Sequence, residues 1–318
     1  MSIRWGIVTS GKIANDFVNA LNSYPGKSDH AIVGIAARDK KKAAAFAKTY
    51  NIPKVFDSYQ DLAASKDIDV VYIGALNPDH HDLTTMFLNN GKHVLCEKPL
   101  CMNFKQAQSL VKLAQQKKLF LMEAVWSRFS PAYVELEKQI NDGQICSSFQ
   151  THLNSSTKEL GGSAVMDLGV YALQFAQYIF KEEPIKVTAV GELNEDGVDV
   201  GSTIILEYSG DRRAVLNVYA TVTLWNKATV YGSKGRRITR TLSQSYGLFP
   251  LHLSPLPFNF ENSAGLVYEA LEVNKCIKQG LLESPRMSHQ ESLTIAKLED
   301  EVRKQLGVHY DVDDKEYN

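Results

Sequence analysis

The first 123 residues alternate short apolar runs with longer segments of helical periodicity. Runs such as Ile3–Thr9 and Asp69–Gly74 are continuous and bounded by glycine or proline, which is typical of buried strands. The segments between them repeat apolar residues at helical spacing. The predicted strands are Ile3–Thr9, Ala31–Ala37, Asp69–Gly74, His93–Cys96 and Leu119–Ala124. This alternation predicts an α/β fold with a doubly wound parallel Rossmann sheet.

After residue 123 the pattern changes. Helices are predicted over 132–141 and 164–180, the second of them amphipathic, and strands joined by short turns follow between Ile185 and Thr241. Two further helices end the chain. This order predicts an α+β region with a large, mostly antiparallel, open-faced sheet. We therefore predict a dinucleotide-binding domain over 1–123 and a substrate-binding and dimerisation domain over 124–318.

The composition of the chain argues against several classes of protein. Apolar residues make up 44% of the chain and charged residues 22%, and the formal net charge is −1. A chain without a basic field is not expected to bind nucleic acid. We find neither a signal peptide nor a membrane-spanning run, and the four cysteines match no metal-ligand spacing, so we expect a cytoplasmic protein with free thiols and no metal.

The N-terminal strand leads into a turn typical of dinucleotide binding. In the run from Gly6 to Ala14, Gly11 and Ala14 hold the second and third positions of the glycine-rich fingerprint, but Thr9 stands where the fingerprint has its first glycine. A helix that starts at this turn presents backbone N–H groups to a pyrophosphate, so we expect Gly6, Thr9, Gly11, Lys12 and Ile13 to bind the cofactor. An ordinary tight turn between a strand and a helix is the alternative.

The end of the second strand indicates which dinucleotide binds. NAD sites carry a carboxylate here for the ribose 2′-hydroxyl, whereas this chain has Ala37 followed by Arg38. Because a guanidinium pairs with a 2′-phosphate, we predict NADP(H). An exposed arginine beside Asp39, a helix cap, is the alternative. The loop after the third strand, with Asn77 and His80, is expected beside the nicotinamide.

Two further motifs suggest chemistry. Glu97-Lys98-Pro99 follows an apolar strand, which would place Lys98 at the carboxyl edge of the sheet, where ligands bind. Asp167 and Tyr171 are four residues apart on a predicted helix after Gly161-Gly162, so they would share a face. A tyrosine near an ammonium has its pKa lowered and can exchange a proton. A solvated lysine and a core tyrosine are the alternatives.

These motifs resemble those of the glucose–fructose oxidoreductase/inositol dehydrogenase (Gfo/Idh/MocA) family, and most closely its dihydrodiol dehydrogenase branch. The resemblance rests on Gly6–Ala14, on the run from Gly91 to Pro99, on Leu119–Phe129, on Gly161–Tyr171 and on Gly232–Gly235. Two departures stand out: Thr9 replaces a glycine, and the segment between Phe149 and Gly161 is short, which puts substrate specificity in doubt.

The resemblance implies roles for individual residues. Lys98 matches a lysine that contacts both cofactor and substrate, and Tyr171 takes the place of the acid/base group, with Asp167 holding substrate hydroxyls. We expect Glu97 to orient Lys98. Trp126, Arg128 and Phe129 match residues that line the substrate cleft, and His80 matches a loop histidine near the nicotinamide.

The expected activity is NADP-dependent hydride transfer at a secondary alcohol of a cyclic polyol, a trans-dihydrodiol or a sugar such as D-xylose. Two alternatives stay open: reduction of dicarbonyls or keto sugars, and a non-catalytic NADP-binding regulatory protein on the same scaffold. Apolar residues on both faces of the segment Ala214–Ala220, together with the resemblance, predict a homodimer formed through the second sheet.

Overall fold

A computed structural model of the protein describes residues 2–141, 147–152, 161–222, 227–231, 237–241 and 256–317. The chain divides into two compact units. The first comprises Met1–Leu100, Ser109–Pro131 and Ser245–His289, and the second comprises Cys101–Gln108, Ala132–Gln244 and Gln290–Asn318. The predicted domains over 1–123 and 124–318 stay a prediction, because compactness alone does not show that a stretch folds by itself.

The first unit contains a five-stranded parallel sheet. Its strands are β1 (Ile3–Val8), β2 (His30–Ala36), β3 (Val70–Ile73), β4 (His93–Glu97) and β5 (Leu121–Ala124), in the order β2-β1-β3-β4-β5. The helices between them are α1 (Lys12–Ser23), α2 (Lys40–Tyr50), α3 (Tyr59–Ala64), α4 (His80–Asn89) and α5 (Phe104–Lys117). The strands are almost entirely buried, as expected for a parallel sheet covered on both faces. The predicted doubly wound sheet is confirmed.

The strand order reverses between β1 and β3. In open α/β sheets such a switch point forms a crevice at the carboxyl ends of the strands, where ligands bind. Thr9 and Gly74 follow these two strands, and the Thr9 hydroxyl donates to the Gly74 carbonyl over 2.7 Å. This hydrogen bond ties the strand ends together at the switch point.

The second unit contains a six-stranded sheet. Its strands are β6 (Ser147–His152), β7 (Lys186–Leu193), β8 (Asp199–Glu207), β9 (Arg213–Tyr219), β10 (Lys227–Tyr231) and β11 (Arg237–Thr241), in the order β11-β10-β6-β9-β8-β7. Only the β6–β9 pair is parallel among the pairings described, so the predicted, mostly antiparallel sheet is confirmed. The sequence prediction missed β6, because its largely polar sequence shows no apolar alternation.

One face of this sheet packs on helices. The remaining helices are α6 (Pro131–Asn141), α7 (Val170–Phe180), α8 (Leu266–Lys278) and α9 (His289–Leu306), and of these α6, α7 and nearly all of α9 belong to the second unit. Along β9, Ala214, Leu216 and Val218 are buried in the core with α7, whereas Val215 is exposed and Asn217 lies half-exposed on the other face. The open face is therefore a mixture of apolar and polar groups.

The helix predicted over 164–180 is wrong in detail. Val165–Gly169 forms a π-helical turn, and the α-helix begins only at Val170. The segment is buried on nearly all sides rather than amphipathic, because it packs inside the second unit. Single π turns inside helices are frequently found at functional sites.

Cys96, Cys101 and Cys276 are buried free thiols. Cys146, the short segment 153–160 and the Gly232–Gly235 motif lie outside the described residues. Within the described part of the chain, every helix is too short or too polar to cross a membrane, and no cluster of His, Cys, Asp or Glu there could hold a metal ion.

Candidate active site

Lys98 follows β4 directly, so it lies half-exposed at the carboxyl edge of the parallel sheet. Glu97, the last residue of β4, is buried, and its carboxylate accepts from the Tyr72 hydroxyl over 2.5 Å and from the Lys98 N–H over 3.4 Å. The Leu100 N–H donates to the buried Glu123 carboxylate over 3.0 Å. Two buried carboxylates thus hold the backbone on both sides of Lys98-Pro99, which fixes where the lysine leaves the sheet.

A further carboxyl group affects Glu97. Glu269, on α8, is fully buried, and among the described residues neither of its oxygens has a hydrogen-bond partner. Burial raises the pKa of Glu269, and the nearby charge of Glu97 raises it further. Burial also raises the pKa of Glu97, although the Tyr72 hydroxyl and the Lys98 ammonium oppose that shift. Because Glu97 has donors and Glu269 has none, we assign the negative charge to Glu97 and a proton to Glu269.

His80 holds the same turn from the other side. Its side chain is fully buried, with Nδ1 2.8 Å from the Pro99 carbonyl oxygen and Nε2 3.2 Å from the Ala75 carbonyl oxygen. Burial lowers the pKa of His80, so the ring is neutral near pH 7 and has a single N–H to donate. The shorter contact assigns that donor to Pro99. His80 was predicted to lie beside the nicotinamide, and the geometry gives it a role in holding the Pro99 backbone.

The turn after β1 has an unusual backbone. Thr9 has a φ of +82°, a region that side chains branched at Cβ rarely adopt. This is the position of the missing fingerprint glycine, so Thr9 keeps the glycine conformation and holds it with its bond to Gly74. Gly6 lies inside β1, where a Cβ would come within 2.9 Å of the Leu62 side chain. Packing against Leu62 therefore explains why position 6 has no side chain.

The start of α1 fits a pyrophosphate. Gly11 is its N-cap and provides no side-chain cap, so no cap covers the N–H groups of the first turn. A Cβ on Gly11 would meet no atom closer than 3.8 Å. Lys12 is exposed in that turn, and Ile13 is half-buried beside Gly74. An uncapped helix start with open space beside it is the arrangement that binds phosphate oxygens.

Arg38 lies at the end of β2 with its guanidinium exposed, 3.7 Å from the Asp79 carboxylate. Asp39 caps α2 by accepting from the N–H groups of Lys41 and Lys42. The acid next to Arg38 is thus committed to the helix. Asn77 is half-exposed in the short 3₁₀ turn before α4, at the same carboxyl edge.

The three residues predicted to line the substrate cleft form one 3₁₀ turn after β5. Trp126 keeps some exposed surface and packs on Gly265, whereas Arg128 and Phe129 are buried. The Arg128 guanidinium donates to the Arg286 carbonyl over 3.1 Å. Arg128 therefore anchors the turn, and Trp126 is the member of the three with accessible surface.

In the second unit, Asp167 and Tyr171 are set apart from their neighbours. From Gly161 to Phe180 every side chain is buried except these two, which are half-exposed. The π turn carries Asp167, and Tyr171 follows in the first turn of α7. Both side chains thus keep accessible surface, with Asp167 on a π turn rather than a regular helix. The predicted grouping of the two on one face stays a prediction.

Several of the residues that shape the site escaped the sequence analysis. They are Tyr72, Glu123, Glu269, Ser163 and Asp199. Each is a buried polar group, and such a residue signals a constraint only through its partner elsewhere in the chain. For Glu123, the carboxylate inside a predicted strand was an available signal.

Comparison with known proteins identifies the family. The oxidoreductase family with an NAD-binding Rossmann fold, named GFO/IDH/MocA, matches residues 3–125, and the GFO/IDH/MocA C-terminal domain matches residues 141–237. A trans-1,2-dihydrobenzene-1,2-diol dehydrogenase from Xenopus tropicalis is 44% identical over 332 residues, which cover 98% of this chain and 100% of that protein.

Solved structures agree on the fold. GenD2 from gentamicin A biosynthesis, in complex with NAD, has a TM-score of 0.82 at 17% identity, covering 96% of this chain and 94% of that one. KijD10, a 3-ketoreductase from Actinomadura kijaniata in complex with TDP-benzene and NADP, has a TM-score of 0.77 at 23% identity, covering 96% and 98%. The two family models and the 44% identical relative show that the protein belongs to the GFO/IDH/MocA family of NAD(P)-binding oxidoreductases.

Proposed function

We propose that this protein is an NADP(H)-dependent oxidoreductase. It transfers a hydride between the nicotinamide and a secondary alcohol or carbonyl of a cyclic polyol, a trans-dihydrodiol or a sugar such as D-xylose. Family membership supports the reaction class, and the identity to a dihydrodiol dehydrogenase over nearly the full chain supports the substrate class.

The observation that carries the proposal is the exposure of Asp167 and Tyr171 alone in an otherwise buried segment. In a segment that is otherwise buried, the accessible surface of an acid and a phenol is where a small molecule can reach it. A cyclic diol offers matching chemistry, since one hydroxyl can bind the carboxylate while its neighbour reacts.

Each residue has a separate task in the proposed reaction. The nicotinamide, when bound, accepts or supplies the hydride. Tyr171 takes the hydroxyl proton during oxidation and returns it during reduction. Lys98 stabilises the negative charge that develops on the reacting oxygen. Asp167 orients the neighbouring hydroxyl, and Glu97 holds Lys98 in place through its backbone.

The residues of the first unit support NADP. The uncapped start of α1 suits the pyrophosphate, and the exposed Arg38 guanidinium suits a 2′-phosphate, since Asp39 is occupied as a helix cap. Arg38→Ala should raise the KM for NADP⁺ about tenfold or more, because a charge-assisted hydrogen bond to the 2′-phosphate is lost. The KM for NAD⁺, which has no 2′-phosphate, should stay within about twofold. Arg213→Ala, which removes an exposed arginine of the second unit, is the control.

Homodimerisation and a cytoplasmic location are part of the proposal. The open face of the second sheet exposes Val190 and Val215, at 66% and 37% of their surface, and exposed apolar groups on a sheet favour a partner. The free buried thiols suit a reducing compartment. A monomeric mass at micromolar concentration would contradict the dimer.

A spectrophotometric assay of nicotinamide reduction tests the function. NADP⁺ and NAD⁺ are each offered with pentoses, hexoses and aromatic trans-dihydrodiols, and the reverse reaction with dicarbonyls and keto sugars. We expect oxidation of a cyclic substrate with NADP⁺. Activity only in the reverse panel would favour a reductase, and cofactor binding without turnover in either panel would favour a regulatory protein.

A further inference from the structure

Asp199 lies in the second unit, at the start of β8, and its side chain reaches the turn that carries Asp167. The two residues that it binds are Ser163 and Val165. One carboxylate oxygen accepts from the Ser163 hydroxyl over 2.5 Å, and the other accepts from the Val165 N–H over 2.8 Å. Both oxygens are therefore committed to the start of the π turn.

Ser163 extends this contact by another residue. Its hydroxyl oxygen accepts from the Met166 N–H over 3.1 Å while the same group donates to Asp199, and its carbonyl accepts from the Asp167 N–H over 2.9 Å. The first N–H groups of a helix normally lack partners. Here the side chains of Asp199 and Ser163 satisfy two of them, those of Val165 and Met166. The next N–H, that of the candidate reactive residue Asp167, makes the first backbone hydrogen bond of the helix, to the Ser163 carbonyl.

The contact is fully enclosed. Asp199 and Ser163 have no exposed surface. Tyr310, also buried, donates its hydroxyl to the Gly162 carbonyl over 2.9 Å and so holds the residue just before Ser163. A buried hydrogen-bond network with both oxygens of a carboxylate satisfied is rigid, since any movement leaves a polar group without a partner.

We propose that Asp199, acting through Ser163, is a positioning residue for the oxidoreductase reaction: it holds the π turn in the register that presents Asp167 and Tyr171 together. This inference rests on the proposed function, because its consequence is measured in turnover. It concerns a residue far from these two in sequence that touches neither cofactor nor substrate in the proposed reaction.

The charge of Asp199 also affects how the turn presents Asp167. Burial raises the pKa of Asp199, the Asp167 carboxylate adds to that rise, and the bonds from Ser163 and Val165 counter it. Asp199 and Asp167 are thus close enough for their charges to interact. A negative charge fixed at the start of the turn repels the Asp167 carboxylate, which favours the half-exposed placement of Asp167 over a buried one.

The test compares three variants with two matched controls. Asp199→Ala removes both bonds, Asp199→Asn keeps an acceptor for the Val165 N–H, and Ser163→Ala removes the hydroxyl. Ser202→Ala removes another fully buried serine hydroxyl from the same strand, one with no hydrogen-bond partner in the described structure. Asp196→Asn removes an exposed charge from the preceding turn.

Turnover and amide hydrogen exchange are measured on each intact protein. We expect Asp199→Ala and Ser163→Ala to lower kcat about 10- to 100-fold, the scale of a misplacement near 1 Å, and Asp199→Asn to lower it less. The KM for the cofactor should stay within about twofold, since the cofactor residues belong to the first unit. Exchange in the peptide 161–170 should accelerate about tenfold or more, while exchange in the peptide 3–36 stays unchanged.

Two results would overturn the inference. One is an Asp199→Ala protein that turns over like wild type; the other is lost turnover with unchanged exchange in 161–170. Equal losses in the Ser202→Ala control would also count against it, as a general effect of core substitution. If the wild-type protein oxidises no substrate, the proposed function fails, whereas the exchange measurement still decides whether Asp199 holds the turn.

Discussion

The Glu97-Lys98-Pro99 turn and the Val165–Gly169 turn each carry a candidate reactive residue, and a buried carboxylate binds each turn. Glu97 lies beside Lys98 in the chain and is held by Tyr72. Asp199, which supports the second turn, is 36 residues from Ser163. The first turn keeps its carboxylate next to its reactive residue, whereas the second takes it from another strand. A site can therefore depend on residues that no local motif contains.

The largest predicted effect is on turnover, and cofactor affinity then distinguishes the role of Tyr171 from that of Lys98. Tyr171→Phe removes the proton acceptor and should lower kcat by about 10²- to 10⁴-fold with little change in cofactor affinity. Lys98→Met should lower both turnover and cofactor affinity. Steady-state kinetics and a fluorescence titration with NADPH measure the two quantities.

Tyr178→Phe is the control for this pair of variants. Tyr178 lies on the same helix as Tyr171 and donates to the Tyr133 carbonyl inside the core. Its loss should affect stability and leave kcat within about twofold. Near-normal turnover in Tyr171→Phe would exclude that residue as the acid/base.

Acid should weaken the first unit before the second. Burial lowers the pKa of His30, His80 and His93, and that of His30 falls to about 4. The unfolded chain binds these protons below its own histidine pKa of about 6.5, whereas the folded chain does not, so stability is full above that pH and is lost below it. His30 alone should cost at most about 3 kcal/mol between pH 6.5 and 4.

Hydrogen exchange at pH 5 and pH 7 checks this order. Peptides from β1 and β2 should lose protection at pH 5, while those from β8 and β9 keep it. In the described part of the second unit, the one histidine with a described side chain, His309, is exposed. Earlier loss of protection in β8 would contradict the prediction that acid weakens the first unit before the second.

Tyr72→Phe tests how firmly the first turn is held. The ring should keep its stacking on Phe17, at 3.8 Å between centroids, so the change removes only the hydroxyl that donates to Glu97. We expect a loss of about 1.5–3 kcal/mol in the free energy of unfolding, because a buried charged acceptor loses its donor. Urea denaturation measures it. Tyr50→Phe, whose hydroxyl makes a long 3.4 Å contact, should cost about 1 kcal/mol or less.

The smallest effect concerns the strained residue at the cofactor turn. Thr9→Ala loses the bond to Gly74 and keeps a side chain at positive φ, so it should lose about 1 kcal/mol of stability. Thr9→Gly loses the same bond but relieves the strain, and it should be more stable than the alanine variant by about 0.5–1 kcal/mol. Equal unfolding free energies for the two variants would show that Thr9 is not strained.

The parallel sheet and the mostly antiparallel second sheet follow from local pattern. Apolar runs, glycine turns and charge at a strand end are properties of neighbouring residues. The π turn, strand β6 and the burial around α7 do not follow, since they depend on packing against strands far away in the chain. Gly6 shows the same limit, since the Leu62 side chain that leaves no room for a Cβ there is far away in the chain.

By itself the sequence determined the two kinds of sheet, the family resemblance and the positions of Lys98 and Tyr171. Only the tertiary structure decided which buried groups hold them: Tyr72 and Glu123 for the first turn, and Asp199 for the second. The physical reason is that a buried polar group is stable only with a partner, and the fold rather than the local sequence brings that partner to it.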